Sequence, residues 1–268
     1  MTHPDRIARG LYWDRAWSLV DGCTPVSEGC KHCWAAQASS MRACQKNPKI
    51  KARYEGLTEG NPPRFTGTIR LQSESLLVPQ RTKKPTTFSV WNDLFHNEVP
   101  FEFIDEAFGV MAKCPQHTFI VLTKREERMW EYFAGGEPGI FPYENVILGV
   151  TVENNKHRDR IDGLLQIPAA VHFVSVEPML GPLDVSYHFP DWDMPGDSPE
   201  YTPGIDWVIC GAETGPGKRF MKTEWARGLR DQCIEADVPF FFKKDSGGSR
   251  LLHGREWNEM PEIGGDTR

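Results

Sequence analysis

Residues 23–33 read CTPVSEGCKHC, three cysteines and a histidine within eleven positions. Thiols at this density serve as part of a disulfide, as a zinc clip or as ligands of an iron–sulfur cluster. A disulfide needs an oxidising compartment. The N-terminus, MTHPDRIARG, lacks the apolar segment of a signal peptide, and no run approaches the roughly 20 apolar residues of a membrane helix. The cytoplasm is therefore the expected location, with no membrane partner. Zinc takes four ligands around one point, and His32 is the nearest candidate for the fourth. Against that, adjacent residues such as His32 and Cys33 seldom ligate one tetrahedral ion. A [4Fe-4S] cluster normally takes four cysteines, so Cys23, Cys30 and Cys33 alone leave one iron open. Gly22, Pro25 and Gly29 give the loop the turns needed to wrap a metal centre. Cys44, Cys114, Cys210 and Cys233 stand apart and read as small buried hydrophobes.

The elements that must position this loop follow from the apolar pattern. TFSVW (87–91), TFIVLT (118–123), NVILGVTV (145–152), AVHFVSV (170–176), DWVICG (206–211) and VPFFF (238–242) are nearly continuous apolar runs of strand length, as buried parallel strands require. AWSLV (16–20) and TIRLQ (68–72) add two more, with an alanine-rich helix from about Trp34 to Gln45 between them. Ile104, Ala107, Phe108 and Met111 share one helical face, and so do Trp225, Leu229 and Cys233 after a Thr223 N-cap. Strands alternating with helices predict an α/β fold: a full or partial (β/α) TIM-like barrel of parallel strands, with the cysteine loop after the first strand. No glycine-rich phosphate turn follows an early strand, which disfavours an open dinucleotide-binding sheet. A chain of 268 residues fits one such domain. The segment 188–204, rich in Pro, Asp and Gly, reads as an irregular insertion, and 246–268 as a C-terminal extension.

A parallel barrel forms its site at the C-terminal strand ends. Those ends carry Asn92 and Asp93; Thr123, Lys124 and Arg125; Glu153, Asn154 and Asn155; Glu177; Glu213 and Thr214; and Lys243, Lys244 and Asp245. Carboxylates, amides and cations crowded at one mouth must pair with each other or with a polar ligand, and a zwitterion suits both signs.

The blocks WSLVDGCTPVSEGCKHCWA, WNDLFHNEVPFEFI, MAKCPQHTFIVLTKR, VILGVTVEN, FVSVEPMLGPLD, DWVICGAETGPGKR and VPFFFKK, spread over about residues 13–245, resemble the phage-type radical S-adenosylmethionine proteins with a three-cysteine motif. The resemblance implies a [4Fe-4S] cluster on Cys23, Cys30 and Cys33 that cleaves S-adenosylmethionine to a 5′-deoxyadenosyl radical. The spacing here is C-x6-C-x2-C instead of the commonest C-x3-C-x2-C, and His32 stands where an aromatic residue is usual. The resemblance further points to Glu74, Asn92 or Asp93 for the methionyl amino group, Lys124 or Arg125 for its carboxylate, and Glu153 and Asn154 for the ribose. Glu177, Glu213 and Lys243 remain for substrate or proton handling. It also implies an electron donor such as flavodoxin or ferredoxin and, for a phage-encoded chain, the host cytoplasm.

A net charge of −6 argues against non-specific coating of nucleic acid. A local basic strip nevertheless runs through Arg42, Lys46, Lys49, Lys51 and Arg53, with no acidic residue among them, and is able to track a phosphate backbone. With the resemblance, this points to a nucleobase or base substituent in phage DNA as substrate, by rearrangement or carbon-bond formation on a modified thymine, with a duplex base flipped out to reach the cluster. The alternatives are a free nucleotide or amino acid as substrate, or a zinc-clipped nucleic-acid-binding module without catalysis.

Overall fold

The computed structural model describes residues 2–90, 92–135, 142–190 and 203–263. Seven strands, β1 (Arg15–Ala16), β2 (Thr87–Val90), β3 (Thr118–Thr123), β4 (Val146–Thr151), β5 (Val171–Val176), β6 (Trp207–Cys210) and β7 (Phe240–Phe242), form one sheet in sequence order. Every neighbouring pair is parallel. Helices α1 (Trp34–Ala43) and α2 (Pro48–Tyr54) follow β1. Helices α3 (Phe101–Ala112), α4 (Glu126–Ala134) and α5 (Asp159–Leu165) connect β2 to β5, and α6 (Thr223–Glu235) connects β6 to β7. Trp91 and residues 191–202 of the expected insertion lie outside the described residues.

Although the strands are buried on both faces, their residues still alternate, as the pleat demands. Phe119, Val121, Val146, Leu148, Val174 and Val208 join a large core with the helices, which contribute Ile104, Ala107, Phe108, Met111 and Leu229. Ile120, Ile147, Phe173, Trp207, Ile209 and Phe241 point the other way into a smaller inner core. Tyr12, just before β1, packs edge-on against Trp207 at 5.4 Å and Phe241 at 5.6 Å. The start of the sheet is thereby drawn toward its far end, although β1 and β7 do not pair. The result is a partial barrel.

Among the described residues an eighth barrel strand is not formed. Ile69–Leu71 instead pairs antiparallel with Val20–Gly22, making a two-stranded ribbon outside the sheet. The C-terminal extension covers the free edge of β7: Phe242 donates its N–H to Trp257 O, Glu259 donates its N–H to Phe240 O, and the Trp207 indole reaches Glu259 O. Such cover protects an edge that would otherwise pair with another chain. Residues 264–268 of the extension lie outside the described residues. Cys114, Cys210 and Cys233 are buried as expected; Cys44, at the end of α1, is exposed, because its helix faces outward there.

Candidate functional site

The ribbon delivers the chain into the cysteine loop. Gly22 adopts φ +92°, and a Cβ there would lie 2.0 Å from Thr68 O, so this junction admits only glycine. The loop passes through a single turn, Glu28–Cys30, and Cys33 stands at the N-terminus of α1. Together the loop and the C-terminal ends of β2–β7 enclose a cavity of about 590 Å³, whose wall carries all three thiols. Asn92, Asp93, Lys124, Glu177, Glu213 and Lys243 share that wall. The strand-end residues therefore converge as the barrel reading requires.

The charged ones are already engaged, and those after β2 and β3 meet the cysteine loop. Asp93 accepts the Cys23 thiol at 3.2 Å and pairs with Arg125 Nε at 2.8 Å. Arg125 also donates to Thr24 O at 2.9 Å. Glu153, completely buried, sits between Lys124 and Arg160 and accepts the Ser27 hydroxyl. Lys124 Nζ also lies 4.0 Å from Cys30 Sγ. Asn154 Nδ2 donates to Glu28 Oε1 at 3.1 Å, and His157 Nε2 meets Glu28 Oε2 at 2.8 Å. A Cβ on Gly29 would fall 2.2 Å from Glu153 Oε1 and 2.7 Å from Lys124 Nζ, so the loop backbone rests directly on that ion pair.

Electrostatics follow from this packing. Burial works to raise the Glu153 pKa, but Lys124, Ser27 and Arg160 outweigh it and hold the carboxyl below its usual range. Burial, followed by the charge and hydrogen bond of Asp93, pushes the Cys23 thiol far above its ordinary value, with Arg125 opposing. Burial also raises Cys33, against the amides of Ala36 and Ala35 at the start of α1.

Across the cavity Glu177 pairs with Lys243 Nζ at 2.8 Å and accepts the Tyr12 hydroxyl at 3.4 Å. Burial first, and then the Glu177 charge, push the Tyr12 phenol well up. Glu213 is held by Arg219 through its backbone N–H and guanidinium; burial pulls its pKa up, and Arg219 brings it below the usual range. His32 lies against the following loop, where a Cβ on Gly217 would approach its Nδ1 to 3.3 Å, and this Nδ1 is buried without a hydrogen-bond partner among the described residues.

Other expected site residues lie elsewhere. Glu74 is exposed in a turn outside the cavity wall. No residue of the basic strip lines the cavity. Arg42 donates to Tyr54 Oη at 3.0 Å, Arg53 pairs with buried Asp21, and Lys51 pairs with Glu55 at 3.7 Å, which leaves Lys46 and Lys49 as exposed cations. Sequence reasoning passed over Ser27, Glu28, His157, Arg160 and Tyr12. The first two lie inside the cysteine motif, and His157 and Arg160 lie three and six residues beyond Asn154, so spacing offered a hint. Nothing local marks Tyr12.

Three thiols from one loop on a cavity at the C-terminal face of a partial β/α barrel define a soft-donor site. Among the described residues, however, no group of three His, Cys, Asp or Glu side chains is arranged to hold a single metal ion. The chain belongs to the DUF5131 family of proteins of unknown function, whose family model matches residues 9–261. This corrects the resemblance read from the sequence blocks: no radical S-adenosylmethionine family matches, and the ordered blocks mark DUF5131. No curated protein and no solved structure matches the chain. No helix among the described residues is long and apolar enough to cross a membrane.

Proposed function

We propose that this chain is a redox enzyme in which Cys23, Cys30 and Cys33 hold a [4Fe-4S] cluster, the adjoining cavity takes S-adenosylmethionine, and the substrate is a nucleobase or base substituent in DNA. The reading rests on the site itself, not on family. One observation carries it: three thiols of one loop share a cavity wall with the ends of six consecutive strands. The donor set fits the group, since each thiolate of a cluster binds its own iron and the three need not converge on one point as ligands of zinc must. When bound, the cluster supplies an electron, received from a flavodoxin- or ferredoxin-class donor, that breaks a carbon–sulfur bond of S-adenosylmethionine and so opens hydrogen-atom abstraction at the substrate.

The chain's own residues fall into two overlapping sets. Asp93, Arg125, Lys124, Glu153 and Asn154 hold the cysteine loop, and of these Arg125, Glu153 and Asn154 lie off the cavity wall. Asn92, Asp93, Lys124, Glu177, Glu213 and Lys243 are on it. Glu177, paired with Lys243, would hold or move a proton at the Tyr12 hydroxyl that it accepts. A free nucleotide or amino acid is the second reading, favoured by the engagement of Arg42 and Arg53 within the fold.

Anaerobic purification tests the cluster. Iron and acid-labile sulfide in a brown protein, and release of 5′-deoxyadenosine when reductant and S-adenosylmethionine are added, are the expected results. A colourless protein with one zinc per chain, or iron without that release, ends the proposal. Charge reversal at Lys46, Lys49 and Lys51 tests the DNA part, which fails if DNA binding and turnover are unchanged.

A further inference from the structure

We infer that Arg9 and Lys244, at the rim of the cavity, form a subsite for a phosphate group carried by the substrate. The inference deepens the nucleobase reading above and rests on it for the rest of the ligand. It starts from the balance of charge on the cavity wall. Each carboxylate there has a cation: Asp93 has Arg125, Glu177 has Lys243 and Glu213 has Arg219, while Lys124 on the wall is matched by Glu153 behind it. Of the rim cations, Arg250 is matched by Glu256 at 2.6 Å. Arg9 and Lys244 line the same cavity, and no described carboxylate pairs with either. The wall therefore carries two positive charges in surplus.

The backbone that carries each of them is held by built structure. The segment bearing Arg9 is pinned by Thr2 Oγ1 to Tyr12 O at 2.8 Å, by Arg6 Nε to Trp13 O at 3.1 Å, and by the Arg250 guanidinium to Ala8 O. At Gly10, φ is +72° and a Cβ would lie 3.0 Å from Arg250 Cδ and 3.6 Å from Lys243 O, so the segment passes directly over the β7 end. Lys244 is fixed at its root, where its carbonyl accepts the Ala212 N–H at 2.9 Å. The nearest acid in sequence, Asp245, is turned into its own loop, accepting the Ser249 N–H at 2.9 Å.

Two unmatched cations on one cavity wall suit phosphate: a monoester, charged about −1.5 to −2 at neutral pH, neutralises both, and two successive diesters of a strand, at −1 each, do the same. Trp34 and Phe65 line the same cavity and bring aromatic rings to it, as does Trp13, whose ring carries the Arg6 guanidinium 4.7 Å from its centroid. Phosphate at the rim and base against the rings describe a nucleotide. The phosphate comes either from a free nucleotide or from a DNA strand.

The test is a calorimetric titration of the full chain with thymidine, thymidine 5′-monophosphate and an oligothymidylate at low and high salt. The monophosphate is expected to bind at least about tenfold more tightly than thymidine at low salt, the effect of one charge-assisted contact. Arg9→Gln with Lys244→Gln should abolish that advantage and leave thymidine affinity unchanged. If the gain that depends on these two residues is seen with the oligomer alone, the subsite stands and its phosphate belongs to DNA. Equal affinities for all three probes, no binding of any, or an advantage that survives the double substitution overturns the subsite. None of these titrations needs metal. A brown protein without phosphate preference thus loses only the subsite, and a colourless one with it loses only the cluster.

Discussion

Replacing Glu153 with Ala probes the arrangement that holds the cysteine loop. The carboxylate is fully buried, with Lys124 on one side, Arg160 Nη1 at 3.0 Å on the other and the Ser27 hydroxyl between. Its removal leaves two cations without their main counter-charge, and breaking a buried pair in this way costs about 3–5 kcal/mol. Two features bring the expected value to the lower end. Arg160 keeps Thr151 O at 2.8 Å and Glu126 at 3.7 Å, and the Lys124 side chain, 20% exposed, is able to turn toward water. We expect a loss of about 3 kcal/mol, a large share of the roughly 5–15 kcal/mol that stabilises a domain. Urea unfolding measures it. Because Ser27 and Gly29 rest on the pair, Cys30 should also react faster with a thiol reagent in native buffer. Lys124→Met with Glu153→Leu removes both charges together and should recover much of the loss, giving a coupling energy above about 1 kcal/mol in a double-mutant cycle. An Ala variant that unfolds within about 1 kcal/mol of the parent, with unchanged thiol reactivity, would refute the idea that this ion pair holds the loop.

Three further outcomes follow from the same packing. Gly29→Ala places a methyl group 2.2 Å from Glu153 Oε1, so iron content after anaerobic reconstitution should fall sharply while far-ultraviolet circular dichroism is retained. Gly149→Ala drives a Cβ to within 2.2 Å of the Phe173 ring in the inner core, and overpacking of this kind costs about 1–3 kcal/mol in a thermal or urea melt, part of which Phe173→Leu should restore. His172 is buried and its pKa is lowered, chiefly by burial, although Ile167 O and Asp206 oppose the shift. A depressed folded pKa means that the unfolded chain binds the proton more readily, so stability present above the ordinary value of 6.5 is lost as pH falls below it. The slope for this one group is at most about 1.4 kcal/mol per pH unit, read from urea midpoints across that range, and His172→Gln should flatten it.

The sheet was legible because its strands are short apolar runs separated by helices, and six of the proposed runs became β2–β7 in order. TIRLQ misled because alternating polar and apolar residues suit a ribbon as well as a barrel strand: Ile69 is half-buried against the core and Leu71 is exposed, and their partner is Val20–Gly22. The convergence of Asn92, Asp93, Lys124, Glu177, Glu213 and Lys243 followed from topology alone, since all end parallel strands. Their partners did not. Whether Lys124 faces a ligand or Glu153 depends on atomic distances across 29 residues, and Arg53 reads as a phosphate contact until buried Asp21 is seen beside it. Tyr12 was silent because a single tyrosine before a two-residue strand carries no periodicity; its role comes from Glu177, 165 residues away.

The holding contacts arrive from three neighbouring positions on the sheet. Asp93 and Arg125, after β2 and β3, fix Cys23 and Thr24; Lys124 and Glu153, after β3 and β4, fix Ser27 and underlie Gly29; Asn154 and His157, after β4, fix Glu28. Every one of these is a contact between protein groups. Side chains of the strand ends thus hold the loop at three points, and its three thiols lie on the cavity wall beside Asp93 and Lys124.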